Sequence, residues 1–197
     1  MPHAVFETIY HVALFLHILG ALLLSGAKAI SYLALMRLRR ADRVEQLRAW
    51  AVIGAGAARL IPLFALLILI PGVFMMWTAW GWVTPWVDVS LATFLVMMVS
   101  GALLLNRQVF ALRAAIDATR DGPLPAELAA RIASRALWGT ENTFTALLIA
   151  VLFLMTVRPG LAGALATLGV ALAAGVASAL RVRPRAAALG MGAAPVS

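Results

Sequence analysis

Few side chains in this sequence could do chemistry, and most of them fall inside apolar runs. His11 and His17 stand six residues apart, and Met75, Met76, Met97, Met98 and Met155 follow in later runs. Imidazole combined with thioether can hold copper or haem iron. On a helix, six residues turn the two histidines about 120° apart and separate them by about 9 Å in height. They cannot readily share one metal or one haem, so each would need a ligand from another helix or subunit. His17 is the sharper candidate, as a metal ligand or cofactor-binding residue with Met75 and Met97 among its partners. The ordinary alternative, a packing histidine bonded to a carbonyl or a buried water, is preferred on residue types alone. Glu7 precedes His11 by one helical turn, a spacing suited to a carboxylate–imidazole hydrogen bond. Tyr10 shares a face with His17.

A second polar group comprises Lys28, Arg59, Asn106, Arg107, Glu141 and Asn142. Lys28 lies about 8 Å inward of its run's midpoint. Glu141, read as opening a helix, suits the positive helix end and could pair with Lys28 or Arg59. A stabilising ion pair with lipid-phosphate anchors is preferred here to an inner gate, a proton relay or an anionic-headgroup site. No nucleotide-binding glycine loop, zinc-protease helix or nucleophile elbow is present. With no cysteine, disulfides, thiolate metal sites and cysteine nucleophiles are excluded.

The elements that must position these residues are membrane helices. The chain of 197 residues is 63% hydrophobic and 12% charged, against about 25% charged in a soluble domain. Its polar residues could not cover a water-facing surface. A bilayer-crossing helix needs about 20 apolar residues, and five runs meet that length: about 10–36, 60–80, 87–106, 139–157 and 161–180. The fold class is therefore all-α, an integral-membrane bundle in one domain. Residues 42–58 begin amphipathically, as a short interfacial helix or a watery extension of the second span. Pro71 and Gly72 interrupt that span near its middle, where proline frees a carbonyl and usually bends the helix. Trp77, Trp80, Trp82 and Trp86 cluster at an aqueous edge, with Asp88 opening the third span. Asp121 to Pro125 form a turn, and residues 125–137 read as a short helix.

The net charge of +8 invites a nucleic-acid reading. The basic residues instead sit at the ends of apolar runs, so no nucleic-acid partner is expected. Arg37, Arg39, Arg40, Arg43 and Arg48, the connection from Arg107 to Arg135, and Arg181, Arg183 and Arg185 fall on one side, with only Arg158 opposite. The positive-inside rule then predicts the N-terminus out and the C-terminus in. The first run, with Glu7 and no Lys or Arg before it, is read as a mature span rather than a cleaved signal. Ala171, Gly175 and Ala179 recur at the spacing of a close helix contact. That face is expected to meet a second copy or another membrane subunit.

The phrase from His17 to Gly26 (HILGALLLSG), the segment Pro71 to Met76 (PGVFMM), the Trp-rich connection and a third span ending near Asn106 and Arg107 resemble the domain-of-unknown-function 2269 family of small bacterial integral-membrane proteins. They are also distantly similar to the CopD copper-resistance and HemJ-like families. The resemblance covers about residues 10–160 and leaves the fifth span outside. His17 resembles the recurring first-helix histidine, which implies copper handling in CopD-like proteins and haem or porphyrin chemistry in HemJ-like ones. The expectation is a binding or transport-associated protein of the bacterial inner membrane, in contact with lipid, with a metal or haem near His17. The alternatives are a haem- or quinone-linked oxidoreductase subunit and a structural or lipid-interacting subunit of a membrane complex.

Overall fold

Apolar side chains point outward along every long helix of this protein, whose computed structural model describes residues 3–181. Phe15, Ile70, Val170 and Leu180 are each more than 60% exposed. Water would penalise such a surface at about 25 cal/mol per Å², whereas hydrocarbon does not. The chain is therefore a multi-pass membrane protein in contact with lipid.

Helix α1 spans His3–Arg40 and α2 spans Val44–Met75, continued by a π-helical turn, Met76–Trp80. Helix α3 (Pro85–Ser100) runs through a second π-helical turn (Gly101–Leu105) into α4 (Asn106–Ala118). The short α5 (Ala126–Ile132) precedes α6 (Arg135–Val157) and α7 (Leu161–Arg181). Five continuous helices result, each long and apolar enough to cross a membrane, and the described residues contain no strand. Arg183 and Arg185 lie outside the described residues.

Several boundaries differ from the sequence reading. Helix α2 starts at Val44, so residues 44–59 continue into the second span as one helix rather than forming a separate one. The short helix expected over 125–137 breaks at Ala133 and Ser134, where the Ser134 hydroxyl accepts a hydrogen bond from the Leu137 N–H and caps α6. Glu141 consequently sits well inside α6 instead of opening it, and the helix-end argument for its charge does not apply. Helix α2 continues as α-helix through both Pro62 and Pro71.

The arginine-rich end is tied by a conventional apolar core. Leu35, Leu38, Leu47, Leu112, Ile116 and Trp138 are buried together there. The Val44 N–H donates to the Gly122 carbonyl at 3.0 Å and the Leu124 N–H to the Asp42 carbonyl at 2.9 Å. Arg48 pairs with Asp121 and also donates to the Thr119 carbonyl. The tryptophan-rich end is closed by side chains instead. The Trp80 and Trp86 rings meet edge to face at 5.2 Å.

Helices α1 and α2 pack along most of their length, as do α6 and α7. A methyl at Gly20 would come within 2.9–3.0 Å of Ile68 and Leu67, and one at Gly54 within 3.1 Å of Ala34. Close backbone approach explains the small residue at each point. The face expected to receive a partner is occupied by this same chain. A methyl at Gly175 would overlap Thr143 of α6, and one at Gly139 would lie 2.7 Å from Ala179. Ala171 and Gly175 are buried in this contact. By contrast, α2 and α3 scarcely touch, and the space between them holds two cavities.

Candidate functional site

The first cavity lies toward the tryptophan-rich end and has a volume of about 110 Å³. His17 lines it from α1, together with Met75 and Met76 from the second span, Ser90 from α3 and Met155 from α6. Trp80 and Trp86 form its outer wall. Arg158 stacks over both rings, 4.7 Å from the Trp80 centroid and 5.4 Å from that of Trp86. Arg158 ends α6 in the left-handed region, at φ 54°, which is uncommon for a non-glycine residue.

His17 is held by the backbone next to the span's interruption. Its Nδ1 lies 2.8 Å from the Ile68 carbonyl oxygen. A carbonyl only accepts, so Nδ1 carries a proton and donates, which leaves Nε2 as the ring nitrogen not engaged by that bond. Gly72 makes room for the ring, since a methyl there would lie 3.0 Å from His17 Cε1 and Nδ1. Pro71, lacking an N–H, leaves the Leu67 carbonyl without its usual helical donor. The imidazole bonds the next carbonyl along.

Ser90 is the residue that sequence reasoning missed. It is fully buried, and its Oγ has no hydrogen-bond partner among the described residues. Hydroxyls in membrane helices commonly donate back one turn, as Ser31 does to the Ala27 carbonyl and Thr93 to the Val89 carbonyl. Ser90 does not, and leaving a buried hydroxyl unsatisfied costs about 1–3 kcal/mol. No sequence signal separates Ser90 from those ordinary hydroxyls.

The second cavity lies toward the arginine-rich end and measures about 360 Å³. Lys28 and Glu141 meet on its wall at 2.6 Å, with only 12% and 6% of their side chains exposed. Asn106 and Arg113 also line it. Close by, the Tyr32 hydroxyl donates to Asn142 Oδ1 at 3.0 Å. Phe94 and Leu148 line both cavities, and Phe94 packs with Leu24 and Ala65 as a small apolar core between them.

The structure sorts the sequence candidates accordingly. His17, Met75, Met76 and Met155 come together. Met97 and Met98 line the second cavity instead, because the rotation of one membrane helix against another is not encoded in residue spacing. His11 is exposed on α1, and its Nδ1 bonds the Glu7 carbonyl at 2.8 Å rather than the carboxylate. The Glu7 carboxylate instead faces His3 at 3.3 Å. Of the second polar group, Glu141 chooses Lys28. Arg59 is exposed and takes no part in the pair.

These features define a polytopic helical membrane protein with two largely apolar cavities within its bundle, each reached by a few polar side chains. The chain belongs to the family described as Predicted integral membrane protein (DUF2269), which it matches over residues 11–159. No curated protein and no solved structure matches it significantly.

Proposed function

We propose that this is a binding and transport-associated protein of the bacterial inner membrane, which takes a soft monovalent cation such as copper(I) in the cavity at His17. The observation that carries this reading is the hydrogen bond from His17 to the Ile68 carbonyl. It fixes the tautomer and leaves Nε2 as a free donor atom, the arrangement that orients metal-bound histidines. Met75, Met76 and Met155 line the same cavity, and thioethers favour copper(I). No carboxylate lines it, so a hard divalent ion has no suitable oxygen donors. At about 110 Å³ the cavity is well below the roughly 300–1,000 Å³ of sites for drug-sized molecules. An ion fits that space and a porphyrin does not.

Transport is supported by the second cavity lying in line with the first beyond Phe94 and Leu148. A path between them requires that this apolar constriction open and that the second cavity be free of lipid. By the positive-inside rule, the tryptophan-rich end with its single Arg158 faces outward and the arginine-rich end faces the cytoplasm.

Titrating the purified protein with silver(I), a redox-inert stand-in for copper(I), tests the reading. One equivalent should bind tightly, with affinity falling at least about tenfold in His17→Ala. Binding that is absent, or unchanged in that variant, would remove His17 from any metal site.

A further inference from the structure

We propose that the second cavity is a specific site for an anionic phospholipid from the leaflet at the arginine-rich end, seating one acyl chain of that lipid. This inference does not rest on the metal site, since it concerns different residues at the other end of the bundle, although a seated lipid and a transported ion would compete for the second cavity.

Size comes first. At about 360 Å³ the cavity falls in the range of sites that bury small organic ligands, and a few polar groups converge in it. Access comes second. Pro62 on α2 and Ala102, Asn106 and Val109 on the facing helix line the cavity and are exposed on the outer surface. The cleft therefore opens sideways between α2 and the α3–α4 helix, into lipid rather than along the bundle axis.

Polarity comes third. Gly20 faces Leu67 and Ile68, while Gly54 faces Ala34. That antiparallel register sets Lys28 level with Arg59 and Leu60. On the outward side of this level the walls are apolar, with Leu24, Ala65, Phe94, Met98 and Leu148. At this level and inward of it lie Lys28, Glu141, Asn106 and Arg113. A lipid of that leaflet has the same order, with its chain toward the midplane and its ester and phosphate oxygens toward the surface.

Charge comes last. The ionisable lining groups are two cations, Lys28 and Arg113, against one anion, Glu141. Arg113 is held only loosely by Asp117, at 3.7 Å. Arg59 sits one residue from the lining Ala58, exposed and with no ion-pair partner among the described residues. This balance favours an anionic head, as basic pockets between membrane helices do. Arg113 and Arg59 are assigned to the phosphate, and the Asn106 amide N–H and the Lys28 ammonium, held by Glu141, to the ester oxygens. The chain takes the lobe toward Phe94.

Native mass spectrometry of the full chain, stripped of lipid in detergent, tests this. Phosphatidylglycerol, phosphatidylcholine and oleate of matched chain type are added in turn. One phosphatidylglycerol should bind per chain, at least about tenfold tighter than phosphatidylcholine. Arg113→Gln should reduce that preference several-fold. Ala58→Phe, which fills the cleft, should abolish the tight site while circular dichroism stays helical. If Ala58→Phe fails to fold, Ala102→Phe fills the opposite lip and serves in its place. Equal binding of the two phospholipids, or tight binding that survives the filled cleft, would overturn the proposal. Oleate outcompeting phosphatidylglycerol would overturn the phospholipid assignment in favour of a free fatty acid.

Discussion

The two cavities sit in one bundle and share Phe94 and Leu148, yet their polar groups are in opposite conditions. In the larger cavity Lys28 is matched to Glu141, and Arg113 remains as a second lining cation. In the smaller one the polar atoms are left over: the Ser90 hydroxyl has no partner, and the His17 ring spends one nitrogen on a carbonyl and keeps the other. Burying a charge in lipid demands a partner, and the first arrangement meets that demand from within the protein. The second forgoes it with neutral groups, whose incomplete bonding is tolerable. A structural role accounts for the Lys28–Glu141 pair itself. Neutral donors left unsatisfied around thioethers are better explained by a ligand.

Breaking the matched pair should give the largest effect. Glu141→Ala leaves the Lys28 ammonium buried alone and should cost about 3–5 kcal/mol, read as a lower thermal midpoint in detergent. Replacing both at once, Lys28→Met with Glu141→Met, should recover most of that loss. If the double variant is as unstable as the single one, the pair is not self-contained and the contrast between cavities fails.

Next in size is the close approach that holds His17 in place. Gly20→Ala forces a methyl against the backbone of Ile68 and should cost about 1–3 kcal/mol. It should also weaken silver binding, because the carbonyl that fixes the imidazole moves with that backbone. Stability lost without any change in silver affinity would separate the helix contact from the site.

Ser90→Ala sharpens the comparison by its sign. Removing an unsatisfied buried hydroxyl should leave stability unchanged or raise it by up to about 1 kcal/mol, while silver affinity falls. Thr93→Val, which removes a hydroxyl already bonded to its own helix, should leave silver affinity alone. The smallest effect on silver affinity is expected at the rim. Arg158→Ala removes two exposed cation–π contacts, worth about 0.5–1 kcal/mol each, and should speed silver uptake more than it changes affinity.

The helical spans and the two polar levels were readable because both follow from local quantities: run length, hydropathy and the places where charges are allowed. The Lys28–Glu141 pair was readable as one of two options, since few partners exist at that depth. What could not be read depends on helix rotation and on three-dimensional closure. Met97 resembles Met75 in sequence but faces the other cavity. Ser90 resembles Ser31 until its missing hydrogen bond is seen. The Ala171–Gly175–Ala179 face carries the spacing of an interface, which any close helix neighbour satisfies, and α6 of the same chain is that neighbour. The choice between a separate helix and an extension of the second span over 42–58 stayed open, and the helix start at Arg135 was missed, because amphipathic helix ends carry no strong hydropathy signal.

The account rests on His17 offering a bare Nε2 to the cavity. Solid-state NMR of isotope-labelled histidine in lipid bilayers, before and after silver(I), reads this directly. The account predicts that His17 carries its proton on Nδ1, and that added silver shifts the Nε2 resonance. A proton found on Nε2, or an Nε2 signal indifferent to silver, would contradict it.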